Sequence, residues 1–435
     1  MKRLLLFALG AALLSASPLA LAAEKAAAKA PDPLSVAAER AGAVYRKGET
    51  LTFVIKANPG ATTPAPAEVD WALTKDGLPP FRTGRARLEQ GRALVTGTLD
   101  EPGFVQCRIT YAVGDKKLNA LGGAAVSPRE IEPSQPAPAD FAAFWDAQKK
   151  RLAAVPVRPR LTPVKSGRDR VEAFDLQVDG VGSPVSGYYA RPSGAKVKSL
   201  PAILTVHGAG VRSAGLSTAV GWAGEGALAL DINAHGLPNG QPASFYEALA
   251  NGELKNYRSA GKESRDTVYF LGMFLRLIRA IDFLAQQPEW DGRTLVVSGS
   301  SQGGAQAIAA AGLDARVSFF VAGVPAMCDH TGFLARRISG WPKFIATGDA
   351  NPAPEVVAAV RYYDAVNFAA RTKDPGLFTV GFIDTNCPPS TVYAAYNALK
   401  TRKEIHHDVF AGHTNTPEAT AAMRAAVKRH FAAMK

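Results

Sequence analysis

The chain has 435 residues, 47% hydrophobic and 20% charged, an ordinary globular composition with ample length for a large core. Its formal charge is +12, but the Lys and Arg residues are scattered and form no run interleaved with aromatics, so no nucleic-acid groove is expected. Three cysteines (Cys107, Cys328, Cys387) exclude a disulfide framework. At most one bridge can form, and Cys328 with Cys387 is the expected pair, since both follow predicted strand ends.

In chain order, Met1-Lys2-Arg3, an apolar core from Leu4 to Leu14 and an Ala20-Leu21-Ala22 cleavage site read as a secretory signal peptide over residues 1–22. No later run is long enough to be a transmembrane helix, so a secreted or periplasmic protein without a membrane span is expected. Residues 23–37, rich in Ala, Lys and Pro, read as a flexible leader. Over residues 38–126, short alternating or β-branched runs (52–56, 69–73, 93–97 and 104–111) are separated by Asn-Pro-Gly, Lys-Asp-Gly and Glu-Pro-Gly turns. That spacing predicts a small immunoglobulin-like β-sandwich with Trp71 in its core.

Residues 127–138 carry Pro128, Pro133, Pro136 and Pro138 and read as a linker. Asp140 is then placed to cap a helix over residues 141–152, with Phe141, Phe144, Trp145 and Leu152 on its apolar face. From there strands alternate with helices. The expected strands include 171–178, 185–189, 202–206, 227–232, 319–322, 343–346, 377–383 and 404–409; the expected helices include 265–287 and 417–434. This alternation predicts a mostly parallel sheet with helices on both faces, an α/β-hydrolase domain over residues 139–435.

The domain is organised around Gly299-Ser300-Ser301-Gln302-Gly303. The apolar run 295–297 precedes it and an Ala-rich helical stretch follows, the strand–turn–helix setting that a G-x-S-x-G nucleophile elbow needs. A serine hydroxyl is a poor nucleophile near neutral pH and needs a base, itself oriented by a carboxylate. In this fold the chain order is Ser, acid, His. Asp384, just after a predicted strand, and His413, in the loop before the last helix, fit that order with Ser301. Asp349 and Asp329 are rival acids after earlier strands; His406, His407 and His430 read as structural. The oxyanion donors are expected to be the backbone N–H groups of Gln302 and of Ala209, the latter in the loop His207-Gly208-Ala209-Gly210. His207 itself is read as bracing that loop. Cys328-Asp329-His330 is too compact for a zinc site, and no metal is expected. The elbow lacks the Lys-Ser/Thr ending of a phosphate loop. Residues 233–262, rich in Gly, Asn, Pro and Tyr, read as either a lid or substrate wall or a surface excursion.

These residues carry a family resemblance. Gly299-Ser300-Ser301-Gln302-Gly303-Gly304, the run from Asp384-Thr385-Asn386-Cys387-Pro388-Pro389 to Asn397, Lys403-Glu404-Ile405 and Gly412-His413 are similar to the acetyl xylan esterase and cephalosporin-C deacetylase family, the seventh carbohydrate esterase family. Asp140 to Trp145 resembles the family's opening helix. The likeness covers about residues 138–431. It implies Ser301, Asp384 and His413 as the triad, no cofactor, and deacetylation of acetylated carbohydrates and small acetyl esters. The family's ring-like hexamer makes a homo-oligomer one partner to consider, although an N-terminal β domain is outside its core pattern. The chain also departs where the family has Arg-Gly-Gln and this sequence has Ala234-His235-Gly236-Leu237, and where the family's His-Glu pair is His413-Thr414. The favoured activity is an exported serine esterase acting on acetylated xylan or xylo-oligosaccharides. A broad carboxylesterase or serine peptidase on the same fold is the first alternative, and an inactive glycan-binding protein the second.

Overall fold

The computed structural model describes residues 32–434; the expected signal peptide and most of the expected leader lie outside them. The first eight strands are β1 (Leu34–Ala38), β2 (Val44–Tyr45), β3 (Leu51–Ala57), β4 (Glu68–Lys75), β5 (Arg82–Arg87), β6 (Arg92–Gly97), β7 (Gly103–Val113) and β8 (Lys116–Val126). They form a three-stranded sheet, β1-β3-β6, and a five-stranded sheet, β2-β8-β7-β4-β5. Val36, Phe53, Ile55 and Val95 of the first share one buried core with Leu73, Cys107 and Ile109 of the second. β1 corrects the leader expectation. Leu34 and Val36 are buried while Ser35 is exposed, so antiparallel pairing with β3 hides two apolar side chains that a free leader would leave in water. Trp71 is half-buried rather than central.

The segment 127–138 is tied down along its length. Arg129 donates to the Tyr396 hydroxyl at 2.7 Å, and Asn397 donates to the carbonyls of Pro128 and Ile131 at 2.9 and 2.8 Å. Ser134 N–H donates to Asp329 Oδ1 at 2.9 Å.

Nine further strands follow: β9 (Pro159–Val164), β10 (Val171–Val178), β11 (Val185–Pro192), β12 (Leu200–Val206), β13 (Leu228–Ile232), β14 (Trp290–Ser300), β15 (Phe319–Gly323), β16 (Gly376–Gly381) and β17 (Lys403–Asp408). Their sheet order is β17-β16-β15-β14-β12-β13-β11-β10-β9. The strands from β13 across to β17 are parallel, and β9, β10 and β11 extend the sheet antiparallel. The helices are α1 (Phe141–Ala153), α2 (Leu216–Ala223), α3 (Ala243–Asn251), α4 (Phe270–Ala285), α5 (Gln302–Leu313), α6 (Pro354–Val360), α7 (Ala365–Ala369), α8 (Pro389–Ala398) and α9 (Pro417–Ala433). Alternation along each strand divides the core. Ile203, Val296 and Leu377 face Trp222 of α2 and Val427 of α9, whereas Leu204, Val297 and Phe378 join the side of α4 and α5.

Three local expectations are corrected. The Asp140 side chain does not cap α1; its carboxylate accepts from the Tyr362 hydroxyl and pairs with Arg265 instead. α4 begins at Phe270, because Thr267 donates its hydroxyl to Gly261 O and Tyr269 N–H bonds Ala260 O, which holds the preceding residues in turns. Residues 343–346 are not a strand: β15, the strand before them, is paired on both edges, with β14 and β16, and they run outside the sheet.

Candidate active site

β14 runs directly into Ser301, whose backbone sits at φ 57°, ψ −124°. Such a conformation costs a non-glycine residue about 1–3 kcal/mol and persists only where its surroundings hold it. Here Ser301 N–H donates to Gly323 O at 2.8 Å, and Ser301 O accepts from Ala326 and Ala305 N–H at 3.0 and 3.1 Å. The crowding explains the flanking glycines. A Cβ on Gly299 would lie 2.5 Å from the Gly303 backbone, and one on Gly303 would lie 2.3 Å from Val206 O.

The structure brings the three expected side chains together. Ser301 Oγ is 2.8 Å from His413 Nε2, and His413 Nδ1 is 2.8 Å from Asp384 Oδ2. A carboxylate can only accept, so Nδ1 carries the hydrogen and Nε2 is left to accept from the serine hydroxyl. Asp384 follows β16 and is 1% exposed; its other oxygen accepts from Asn386 and Cys387 N–H at 2.8 and 2.9 Å. A buried carboxylate is thus bonded through both oxygens, which its burial requires.

Gln302 opens α5, so its N–H is one of the donors a helix start leaves unsatisfied. Ala209 lies in the loop after β12, and among the described residues its N–H makes no backbone hydrogen bond. His207 holds that loop: Nε2 accepts from Ala234 N–H at 3.2 Å and Nδ1 donates to Gly208 O at 2.6 Å. Burial, helped by the charge of Arg212, lowers its pKa to about 4, so the ring is neutral near neutral pH.

The rival residues are engaged elsewhere. Asp349 lies exposed in a turn outside the sheet. Asp329 is buried in an ion pair with Arg337 at 2.7 Å. His407 bonds the Tyr393 hydroxyl, and His430 stacks on Phe319 and bonds Ser318 Oγ. The expected Cys328–Cys387 bridge is absent: all three cysteines are free and buried. Cys328 Sγ turns back to Ala326 O at 3.3 Å, while the Cys387 thiol faces Ser301, its pKa pushed up by burial and by the neighbouring Asp384. Cys387, Asp384 and His413 place ligand atoms within 4.8 Å of one another, but the His and Asp atoms are committed to their mutual hydrogen bond.

Three residues make contacts that the sequence reading did not foresee. Tyr257, in the segment 233–262, accepts from Gly210 N–H at 3.2 Å and donates to Gln302 Oε1 at 3.0 Å, joining the loop after β12 to the start of α5. His235 donates to Gly210 O at 3.3 Å and accepts from the Tyr269 hydroxyl at 2.8 Å; burial lowers its pKa to about 3. Asn415 donates to Ser300 Oγ at 2.9 Å and accepts from Thr379 Oγ1 at 2.5 Å, which fixes the His413 loop to the elbow. Tyr257 and His235 lie in the segment read as a lid or substrate wall or a surface excursion, and Asn415 stands two residues past His413, but none of the three was given a role.

The acetyl xylan esterase (AXE1) family model matches residues 128–430. The chain belongs to the acetyl xylan esterase family. It is 33% identical over 349 residues to acetyl esterase Axe7A of Xylanibacter ruminicola, covering 78% of each chain. That share exceeds what residues 128–435 supply, so the likeness extends in front of residue 128. Among solved structures, the acetyl xylan esterase from Paenibacillus sp. R4 superposes with a TM-score of 0.61 at 28% identity, over 69% of this chain and 98% of its own. Acetyl xylan esterase 1 from Thermoanaerobacterium sp. JW/SL YS485 shares the fold at TM-score 0.61 and 23% identity, over 70% of this chain and 98% of its own. The protein is therefore a carboxylic-ester hydrolase with an α/β-hydrolase fold. Among the described residues no helix is long and apolar enough to cross a membrane.

Proposed function

We propose that this acetyl xylan esterase family member is an exported serine esterase that removes acetyl groups from carbohydrates, with acetylated xylan or xylo-oligosaccharides favoured. The observation carrying the reading is the unbroken relay Ser301 Oγ, His413, Asp384, with both links at 2.8 Å. Ser301 Oγ attacks the acetyl carbonyl carbon while His413 Nε2 takes its proton. Asp384 keeps the imidazole in the right tautomer and balances the imidazolium. The carbonyl oxygen becomes an oxyanion that accepts from Gln302 and Ala209 N–H. The C–O bond to the sugar then breaks and His413 protonates the leaving alkoxide. Water, deprotonated by His413, attacks the acetyl-enzyme and releases acetate. Residues 38–126 are read as an immunoglobulin-like domain in front of the esterase domain, and residues 1–22 as its signal peptide.

The test is acetate release from acetylated xylan, acetylated xylo-oligosaccharides and 4-nitrophenyl acetate, with Ser301→Ala alongside. Release from the sugars that falls by about 10⁴-fold or more in the mutant supports the reading. Turnover of 4-nitrophenyl acetate alone would move the natural substrate away from xylan, toward a broad carboxylesterase. A mutant keeping most of its kcat would overturn the assignment of the nucleophile.

A further inference from the structure

Three cations sit on or against the segments that flank the proposed triad and oxyanion donors. Arg212 is exposed at the end of the oxyanion-side loop, with one guanidinium nitrogen 3.5 Å from Gly208 O. Gly208 touches the nucleophile: a Cβ there would lie 3.4 Å from Ser301 Cβ and 4.0 Å from that same nitrogen. Arg258, also exposed, lies over the rings of Tyr257 and Trp341, 5.7 Å from each centroid. Tyr257 in turn bonds Gln302 and Gly210. Lys343 Nζ lies 3.4 Å from the carbonyl of Thr385, the residue after Asp384. Each cation is thus one residue removed from a group that reacts or supports the oxyanion loop.

None of the three makes an ion pair within 4.0 Å among the described residues, although nearby Arg265 and Arg337 both do. The carboxylates behind them are committed. Asp231 accepts from Gly215 N–H and Thr205, Asp384 from His413, and Asp329 from Arg337. An acetyl ester and a xylose ring are both neutral, so deacetylation itself makes no use of these cations, of which only Arg212 has a nearby carboxyl, that of Asp231, under its charge. Cations framing a cleft raise the local concentration of a polyanion, and an arginine fork orients a carboxylate through two parallel bonds.

We propose that the substrate is an acetylated glycan bearing uronic-acid carboxylates close to its acetyl groups, and that Arg212, Arg258 and Lys343 bind those carboxylates. This rests on the deacetylase reading above.

The test compares kcat/KM on acetylated xylo-oligosaccharides with and without a glucuronic acid branch, with 4-nitrophenyl acetate as a third substrate, from low to physiological ionic strength. The enzymes are wild type, Arg212→Gln, Arg258→Gln, Lys343→Gln, the triple variant and the charge-keeping Lys343→Arg. The wild type should prefer the acidic oligosaccharide, and salt should erode that preference. Each lost cation should lower the acidic-to-neutral ratio by about threefold, chiefly through KM, and the triple variant by about tenfold or more. Lys343→Arg should restore the ratio. A merely structural role would lower both sugars together and leave the ratio unmoved, which would overturn the proposal. So would a wild type without preference for the acidic sugar. Loss of both sugar activities with 4-nitrophenyl acetate still turned over in the wild type would instead mark failure of the deacetylase reading.

Discussion

The ring of Phe104, on β7, meets the ring of Phe382 edge-on, with centroids 5.1 Å apart and planes at 81°. Phe382 stands two residues before Asp384, and Gly123 on β8 lies so close that a Cβ there would come within 2.6 Å of Phe382 O. The loop that presents the proposed catalytic acid therefore rests on the N-terminal five-stranded sheet. Phe104→Ala should destabilise the protein by about 3–5 kcal/mol, since the ring is fully buried. It should also lower kcat more than it raises KM. Urea unfolding paired with kinetics on 4-nitrophenyl acetate checks both, and an unchanged kcat would show that the sheet does not steady Asp384.

Asn415→Ala removes the donor to Ser300 Oγ and the acceptor of the Thr379 hydroxyl, which keeps only the bond it accepts from Val324 N–H, in the part-buried link between the His413 loop and the elbow. A loss of about 1–3 kcal/mol is expected, with kcat about tenfold lower because the imidazole is no longer held at one distance from Ser301. Stopped assays and thermal melts of the variant read the two effects separately.

Tyr257→Phe removes a single hydroxyl and keeps the ring. Gly210 N–H and Gln302 Oε1 lose their common partner, so the Ala209 loop can shift relative to α5. Removing one whole oxyanion donor costs about 10²–10³ in kcat, so loosening its support should cost less, about tenfold. KM for a small ester should hardly move. A KM effect with kcat intact would mean that Tyr257 contacts substrate instead.

Gly303→Ala tests the elbow's crowding. The added methyl would meet Val206 O at 2.3 Å, in a region whose neighbours are backbone and cannot give way. Insoluble or strongly destabilised protein is the expected outcome of expression and melting trials. A stable, active variant would show that the helix can move off the sheet.

His330 bears on acid stability. It is buried against Phe344, ring centroids 4.9 Å apart, and burial lowers its pKa from 6.5 to about 3. Because the folded value is depressed, the unfolded chain takes up the proton first. The stability this ring carries is therefore complete above pH 6.5 and is lost as pH falls toward about 3. His330→Phe should flatten the acid limb of a urea-midpoint-versus-pH curve by about one proton, about 1.4 kcal/mol per pH unit. An unchanged slope would sink the assignment.

What could be read from the sequence was what repeats or crowds. The alternation of apolar runs marks the parallel strands because both faces of that sheet are covered, and the glycines around Ser301 mark the elbow because backbone fills the space on either side. Asp384 and His413 were legible from chain order and strand ends. Tyr257, His235 and Asn415 were not, since each acts through contacts to residues far along the chain that no local pattern announces. The strand expected at 343–346 failed for a related reason: an apolar run does not say whether the chain returns to the sheet, and here β15 is already paired on both sides. Asp140 has the side chain of a cap, but Arg265 and Tyr362 offered it more.

The proline-bearing segment 127–138 is fastened by Arg129 to Tyr396, by Asn397 to two of its carbonyls, and by Ser134 to Asp329. A tether fastened at so many points does not let its ends move apart. A calorimeter should therefore record one cooperative melting peak for the described parts, and a protease should find no cut that frees a stable esterase from the strands in front of it. If so, the boundary drawn on the sequence is not a mechanical one.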